Sequence, residues 1–208
     1  MSLGLGVVDR HSIFAETLFT RKRPLASSPY IKAMHPKSEI SPEPTAILRI
    51  LGNGWVGQTK IHGHRAQIHI SADPNEAIIA YTRQGTRHKL ALIPKLEKEL
   101  RRLFTPDEKW NVIDTEWLKP QEKIFVFDFL KYEGETLRSL TFPERWKKLP
   151  TAFISPCLSV LPLLTDLSAC TKILASPSPT IEGLVFKSST STGFSDSSIV
   201  RCRKRQQK

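Results

Sequence analysis

Apolar and polar positions follow regular spacings along most of the chain after residue 45, and they predict short strands interleaved with a few helices. Residues 66–71 alternate apolar with polar side chains, which is typical of a half-buried strand. Residues 94–104 place leucines on one face behind a first-turn proline, which predicts a helix. Similar patterns predict strands at 46–51, 77–82, 110–118, 123–132, 183–187 and 199–203, and helices at 143–149 and 162–175. Strands and helices in this order predict an α+β domain.

Three segments follow from this pattern. Residues 1–45 lack periodicity and carry several prolines and the basic run 21–23, so we predict an N-terminal arm. Residues 46–204 form the predicted domain, and residues 205–208 form a basic tail. A chain of 208 residues is long enough to bury one substantial core.

Composition narrows the class of partner. The chain has 31 Lys+Arg against 20 Asp+Glu, a formal net charge of +11, which favours a polyanion such as nucleic acid. Its 3 cysteines form no C-x-x-C pair, which argues against a disulfide framework or a zinc site. We find no apolar run of about 20 residues and no secretory signal. We therefore expect no membrane association and an intracellular location, either cytoplasmic or in the nucleus or nucleoid.

Two short motifs carry the candidate chemistry. Residues 60–65 read K-I-H-G-H-R, and residues 182–187 read E-G-L-V-F-K. Lys60 is the candidate nucleophile, and a lysine amine attacks only when neutral, a form that burial or nearby positive charge favours. Together the motifs resemble the active-site signature of covalent nucleotidyltransferases: ATP-dependent DNA ligases, RNA ligases and mRNA capping enzymes.

Further motifs extend the resemblance to polynucleotide ligases over about residues 46–204. They are T-R-Q-G at 82–85, D-T-E-W at 114–117, F-V-F-D at 125–128 and E-R-W-K-K-L at 144–149. The resemblance implies two antiparallel β-sheets with flanking helices enclosing a nucleotide pocket, an ATP-grasp-like ligase nucleotidyltransferase fold. It also implies ATP and Mg²⁺ as cofactors.

The resemblance implies a role for each motif residue. Lys60 would form a lysyl-AMP intermediate, and Glu182 would hold Mg²⁺, because hard cations prefer carboxylate oxygens. Phe127 would stack on the adenine and Lys187 would bind the α-phosphate. The full set of predicted nucleotide-binding residues is Gln58, Arg65, Glu116, Phe127, Lys187, Arg201 and Arg203.

Two positions depart from the usual pattern of the family. His62 stands where most DNA ligases have aspartate, and it resembles RNA ligases of the editing type. Arg201 and Arg203 replace the two lysines of a K-x-K motif; arginine keeps the charge but has a different shape. We expect no C-terminal OB-fold after Arg203, which leaves two alternatives: a minimal or truncated enzyme, or a partner protein or domain that supplies the missing clamp.

The sequence predicts an ATP-dependent polynucleotide ligase that joins 5′-phosphate to 3′-hydroxyl ends, with DNA favoured over RNA. Three alternatives stay open. They are an RNA ligase of the editing type, a capping-type guanylyltransferase that uses GTP, and a catalytically degenerate nucleic-acid-binding module.

Overall fold

The computed structural model describes residues 28–89, 91–119, 122–151 and 155–204. Over these ranges the helices are α1 Pro44–Gly52, α2 Pro94–Phe104, α3 Phe142–Trp146 and α4 Leu167–Leu174. The strands are β1 Ser38–Glu39, β2 Trp55–Ile61, β3 His64–Ser71, β4 Ile79–Tyr81, β5 Trp110–Leu118, β6 Lys123–Tyr132, β7 Glu135–Thr136, β8 Leu158–Val160, β9 Ile181–Ser188 and β10 Ile199–Arg203. None of the described helices is long and apolar enough to cross a membrane.

The strands form two sheets. The first sheet has the order β1-β10-β9-β2, and the second has the order β4-β3-β5-β6-β7 with β8 beside β6. The predicted α+β class with two sheets is therefore confirmed. The prediction that both sheets are antiparallel needs correction, because β1 pairs with β10 and β8 pairs with β6 in parallel. Long connections separate the members of both pairs, as parallel pairing requires.

Each sheet has one face covered by helices. The first sheet packs Leu184 and Phe186 of β9 against α1 and α4. The second sheet packs Ile68 and Ile113 against the leucines of α2. Because side chains alternate across a strand, the neighbouring residues of the same strands lie on the opposite faces. Those uncovered faces carry polar side chains and border a common cavity.

Several predicted elements are confirmed and one is wrong. The predicted helix at 94–104 and the predicted strands at 110–118 and 123–132 have the bounds of α2, β5 and β6. Residues 46–51 were predicted as a strand but belong to α1. Pro44 stands in the first turn of this helix, where it needs no N–H donor, and Ile47 is buried. A short apolar run fits either structure, and the proline was the signal that favoured a helix.

Residues 28–39, here called the N-terminal strap, contact both sheets. The side chain of Gln67 on β3 pairs with the backbone N and O of Ile31, both at 2.8 Å. Further along, Ser38–Glu39 pairs with β10. The strap belongs to the predicted arm 1–45, and its placement against both sheets brings it to the edge of the cavity. The basic run 21–23 and the tail 205–208 lie outside the described residues, and the division at residue 45 stays a prediction.

Candidate active site

A cavity of about 590 Å³ lies between the uncovered faces of the two sheets. Its walls come from β2, β9 and β10 on one side and from β3, β5 and β6 on the other. All nine site residues predicted from the motifs line this cavity, although they span about 145 positions of the chain. They are Gln58, Lys60, Arg65, Glu116, Phe127, Glu182, Lys187, Arg201 and Arg203.

The register of the first sheet explains why its motif residues meet. Lys60 on β2 is paired with Gly183 on β9, which is in turn paired with Arg203 on β10. Gly183 has φ +148°, and a Cβ at this position would overlap the carbonyl oxygen of Cys202. Glycine at residue 183 therefore allows β9 to pack closely against β10. Lys60, Arg201 and Arg203 then lie on the same face of the sheet.

Lys60 forms an ion pair with the carboxylate of Glu182. The other carboxylate oxygen of Glu182 lies 2.6 Å from Nδ1 of His62. Partial burial favours the neutral carboxyl, but the hydrogen bonds from Lys60 and His62 outweigh it and lower the pKa of Glu182. The sequence departure at His62 thus lies in direct contact with the predicted metal ligand.

Gly63 follows His62 in the chain, and packing within the protein explains why this residue is glycine. A Cβ at residue 63 would lie 2.9 Å from the carbonyl oxygen of Trp117 on β5. Glycine therefore lets the β2–β3 turn pack closely on the second sheet.

Arg65 is held by protein groups on all three nitrogens. Its Nε and Nη2 bind the carboxylate of Asp114, with Nε–Oδ1 at 2.9 Å, and Nη1 donates to the carbonyl of Met34 at 2.7 Å. Burial disfavours the charged guanidinium, but the charge of Asp114 outweighs it and raises the pKa of Arg65. Arg65 therefore connects the strap to β5 and also lines the cavity. Its contact with ribose or phosphate stays a prediction.

Glu116 lies beside Arg65 across the β3–β5 pair. Burial raises the pKa of the Glu116 carboxyl to about 7, although Lys60 and Arg65 act in the opposite direction. A carboxyl that titrates near neutrality can accept hydrogen bonds when ionised and donate one when protonated.

Aromatic and apolar groups form one wall of the cavity. Phe127 packs with Ile61, Leu118 and Leu161, and its ring faces Nζ of Lys187 at 4.8 Å from the centroid. Gln58, which is buried, donates from Nε2 to the carbonyls of Phe127 and Leu161, both at 3.3 Å.

The two arginines on β10 are paired with the strap. Arg201 Nε lies 2.8 Å from the carboxylate of Glu39, and Arg203 Nε lies 3.8 Å from it. Both arginines are partly exposed and line the cavity. Glu39 thus holds them at the cavity edge, where an incoming anion would compete with it.

Sequence reasoning missed several residues that shape this cavity. Met34, His35 and Pro36 of the strap line it, although no periodicity or motif marked them. Asp114 was noted only as a neighbour of Glu116, and its pairing with Arg65 was not foreseen. An Asp–Arg pair of this kind, far apart in sequence, leaves no local spacing signal.

The comparison with known proteins gives matches only among solved structures; no protein-family model and no curated protein matches the chain. One match is a mycobacterial DNA ligase D complexed with ATP and MES, with 19% identity, a TM-score of 0.50, and coverage of 72% of this chain and 54% of that one. Another is the ligase domain of M. tuberculosis LigD, with 18% identity, a TM-score of 0.52, and coverage of 84% and 60%. The chain has the fold of DNA ligase domains.

A third structure with this ligase fold comes from a study of Lig E DNA ligases as minimal DNA-binding scaffolds. It is 14% identical, with a TM-score of 0.52 and coverage of 84% of this chain and 70% of that one. The chain spans only 54% and 60% of the length of the two LigD structures described above. The predicted resemblance to ligases is confirmed at the level of fold.

Proposed function

We propose that the chain is an ATP-dependent polynucleotide ligase that forms a lysyl-AMP intermediate at Lys60. The observation that carries this proposal is the meeting of Lys60 and Glu182 in a cavity shared with Arg65, Glu116 and Lys187. A ligase fold around this group of residues supports the same reaction class.

In the proposed first step, Nζ of Lys60 loses a proton and attacks the α-phosphorus of ATP. The N–P bond forms, and the P–O bond to pyrophosphate breaks. An oxygen of a 5′-phosphate end then attacks the phosphorus of the AMP, the N–P bond breaks and Nζ of Lys60 takes up a proton. Finally a 3′-hydroxyl loses its proton and attacks the phosphorus of the 5′ end, and AMP leaves. Before the reaction, the ion pair with Glu182 holds the Lys60 ammonium in the cavity. Cations around the cavity neutralise phosphate charge, which is the main requirement of such chemistry.

We propose Mg²⁺ as the metal, with Glu182 as its protein ligand. Among the described residues, no cluster of three or more His, Cys, Asp or Glu side chains is arranged to hold a metal. A single carboxylate at the cavity still fits Mg²⁺, which commonly binds one or two carboxylates together with water and substrate phosphates. Bound there, the ion would neutralise phosphate charge.

Gln58 supports ATP over GTP as the substrate. Two backbone carbonyls bind its Nε2, so the amide is oriented with Oε1 away from them, and this oxygen accepts no hydrogen bond from any described residue. A carbonyl acceptor suits the amino group of adenine and repels the carbonyl of guanine. With the purine stacked on Phe127, the cavity would select adenine.

We propose nicked DNA, in preference to RNA, as the polynucleotide. The T-R-Q-G motif and Arg65 are the sequence features that favour DNA. Arg83 of that motif lines the cavity and is exposed, so it is available to a phosphate backbone.

The test is covalent labelling with ATP carrying a radioactive α-phosphate, in the presence of Mg²⁺. Wild-type protein should acquire label from ATP and not from GTP, while Lys60→Ala should acquire none. Lys172→Ala, at an exposed position of α4 on the covered face of the first sheet, is the matched control and should label normally. Label that persists in Lys60→Ala would contradict the assignment, and label from GTP would indicate a capping-type enzyme. Nicked DNA and nicked RNA are then compared as acceptors.

A further inference from the structure

Three buried charged residues meet at the wall of the cavity, and two of them, Asp128 and Lys187, line it. Arg145 of α3 is 0% exposed, Asp128 of β6 is 1% exposed and Lys187 of β9 is 3% exposed. Arg145 binds both carboxylate oxygens of Asp128, with Nε–Oδ1 at 2.9 Å and Nη2–Oδ2 at 3.0 Å. An arginine that binds both oxygens of a carboxylate in this way forms one of the strongest side-chain ion pairs in proteins.

Lys187 is left without a hydrogen bond in this group. Its Nζ lies 3.8 Å from Oδ2 of Asp128, beyond hydrogen-bond distance, and it has no other hydrogen-bond partner among the described residues. The ammonium instead faces the rings of Phe142 and Phe127, at 3.9 and 4.8 Å from their centroids. A buried ammonium with unused donors is costly, and Lys187 borders the cavity, where an anion would satisfy it.

Arg145 and Lys187 compete for one carboxylate. Arginine matches both oxygens of Asp128 at once, whereas lysine acts as a point charge. Without the guanidinium, Lys187 would be the nearest cation to an uncompensated buried carboxylate, and the two would pair directly. That pair would occupy donors of the ammonium that are otherwise available to an anion in the cavity.

We propose that Arg145 is a positioning residue that keeps the Lys187 ammonium free for a substrate phosphate by occupying both oxygens of Asp128. The identity of the phosphate rests on the proposed function. The pKa of Lys187, however, can be measured without any reaction taking place. The charged groups that act on Lys187 are Asp128 on β6, Asp114 on β5, Arg145 on α3 and Arg65 on β3. Burial lowers the pKa of Lys187 to about 8, in keeping with an ammonium that lacks a close partner.

A purely structural role makes a different prediction. Arg145 also donates to the carbonyls of Leu140 and Gly193, at 2.8 and 3.4 Å, and stacks on Phe194. Through these contacts it ties α3 to the β9–β10 loop. If this were its whole contribution, removing the charge of Asp128 as well would not repair the loss of Arg145.

The first experiment measures the pKa of Lys187 by NMR of ¹⁵N-labelled lysine side chains, with Lys187→Met used to assign the signal. Arg145→Met should raise this pKa above about 8, because the repulsion from the Arg145 charge is lost and Asp128 is then free to pair with the ammonium. Arg138→Met is the matched control, since Arg138 is exposed and stacks on the same Phe194 ring without touching Asp128. It should leave the pKa unchanged. An unchanged pKa in a folded Arg145→Met protein would overturn the proposal.

The second experiment measures the rate of lysyl-AMP formation from ATP at pH 7. Arg145→Met should label about 10–100-fold more slowly, which is less than the roughly 100–1,000-fold loss expected when such a group is removed, because Lys187 is displaced and not removed. The double variant Arg145→Met/Asp128→Asn should recover part of that rate, because it frees Lys187 again. No recovery in a folded double variant would indicate a structural role and overturn the proposal. If wild-type protein acquires no label, the proposed function fails, and the NMR experiment alone decides the role of Arg145.

Discussion

At the scale of single residues, Glu116 should make stability depend on pH. Its pKa is raised from 4.5 to about 7 by burial, so the folded protein binds this proton more tightly than the unfolded chain. The stabilisation is full below about pH 4.5 and is lost as the pH rises through about 7. Glu116→Gln should therefore flatten the fall in the free energy of unfolding between pH 5 and pH 8, as measured by urea denaturation. A variant that keeps the full wild-type pH dependence would contradict this reading.

The motif residues show what the sequence can predict at this scale. Lys60 and Glu182 were proposed from motifs that fix residue type and order, and the structure places both in one cavity, while their roles stay predictions. The pairings of Asp114 with Arg65 and of Asp128 with Arg145 were not predicted, because each joins residues far apart in sequence. These pairings depend on the register of β3 with β5 and on the packing of α3 against β6. No local pattern encodes either.

At the scale of elements, Gln67 should hold the N-terminal strap in place. Its buried amide satisfies the backbone N and O of Ile31, and His69 supports it through a 2.9 Å contact with its oxygen. Gln67→Leu leaves two backbone groups unsatisfied, which should lower the free energy of unfolding by about 2–4 kcal/mol. Gln84→Leu, at an exposed turn position, is the control and should change it little. Urea denaturation checks both, and equal stability of the two variants would show that the strap contributes nothing at this point.

The strap and β2 also show why some elements escape prediction. Gln67 and Arg65 hold the strap through backbone groups of Ile31 and Met34, and such contacts leave no periodic pattern in the sequence. The inward positions of β2 are Gln58 and Lys60, which are polar because they border the cavity. A strand whose functional face is polar loses the alternation that marks a half-buried strand.

At the scale of the whole molecule, charge is concentrated where the two uncovered sheet faces meet. The cations that line the cavity are Lys60, Arg65, Arg83, Lys119, Lys187, Arg201 and Arg203, facing four carboxylates. The sequence predicted a basic chain and a polyanionic partner, and the structure places these cations around one opening. The helices that cover the outer faces of the sheets leave this side of each sheet open to a ligand.

This distribution predicts how nucleic-acid binding should respond to salt. Each phosphate that a cation neutralises releases counterions, so the logarithm of the affinity for nicked duplex DNA should fall linearly with the logarithm of the salt concentration. Arg83→Gln should make that slope shallower by about one, as expected for the loss of one phosphate contact. Arg49→Gln removes the same charge at an exposed position of α1, on the covered face of the first sheet, and should leave the slope unchanged. Equal slopes for the two variants would mean that DNA binding depends only on the net charge of the protein and not on the position of Arg83. A difference confined to Arg83 would place the DNA backbone at the cavity opening, close to Lys60, where the proposed AMP adduct would form.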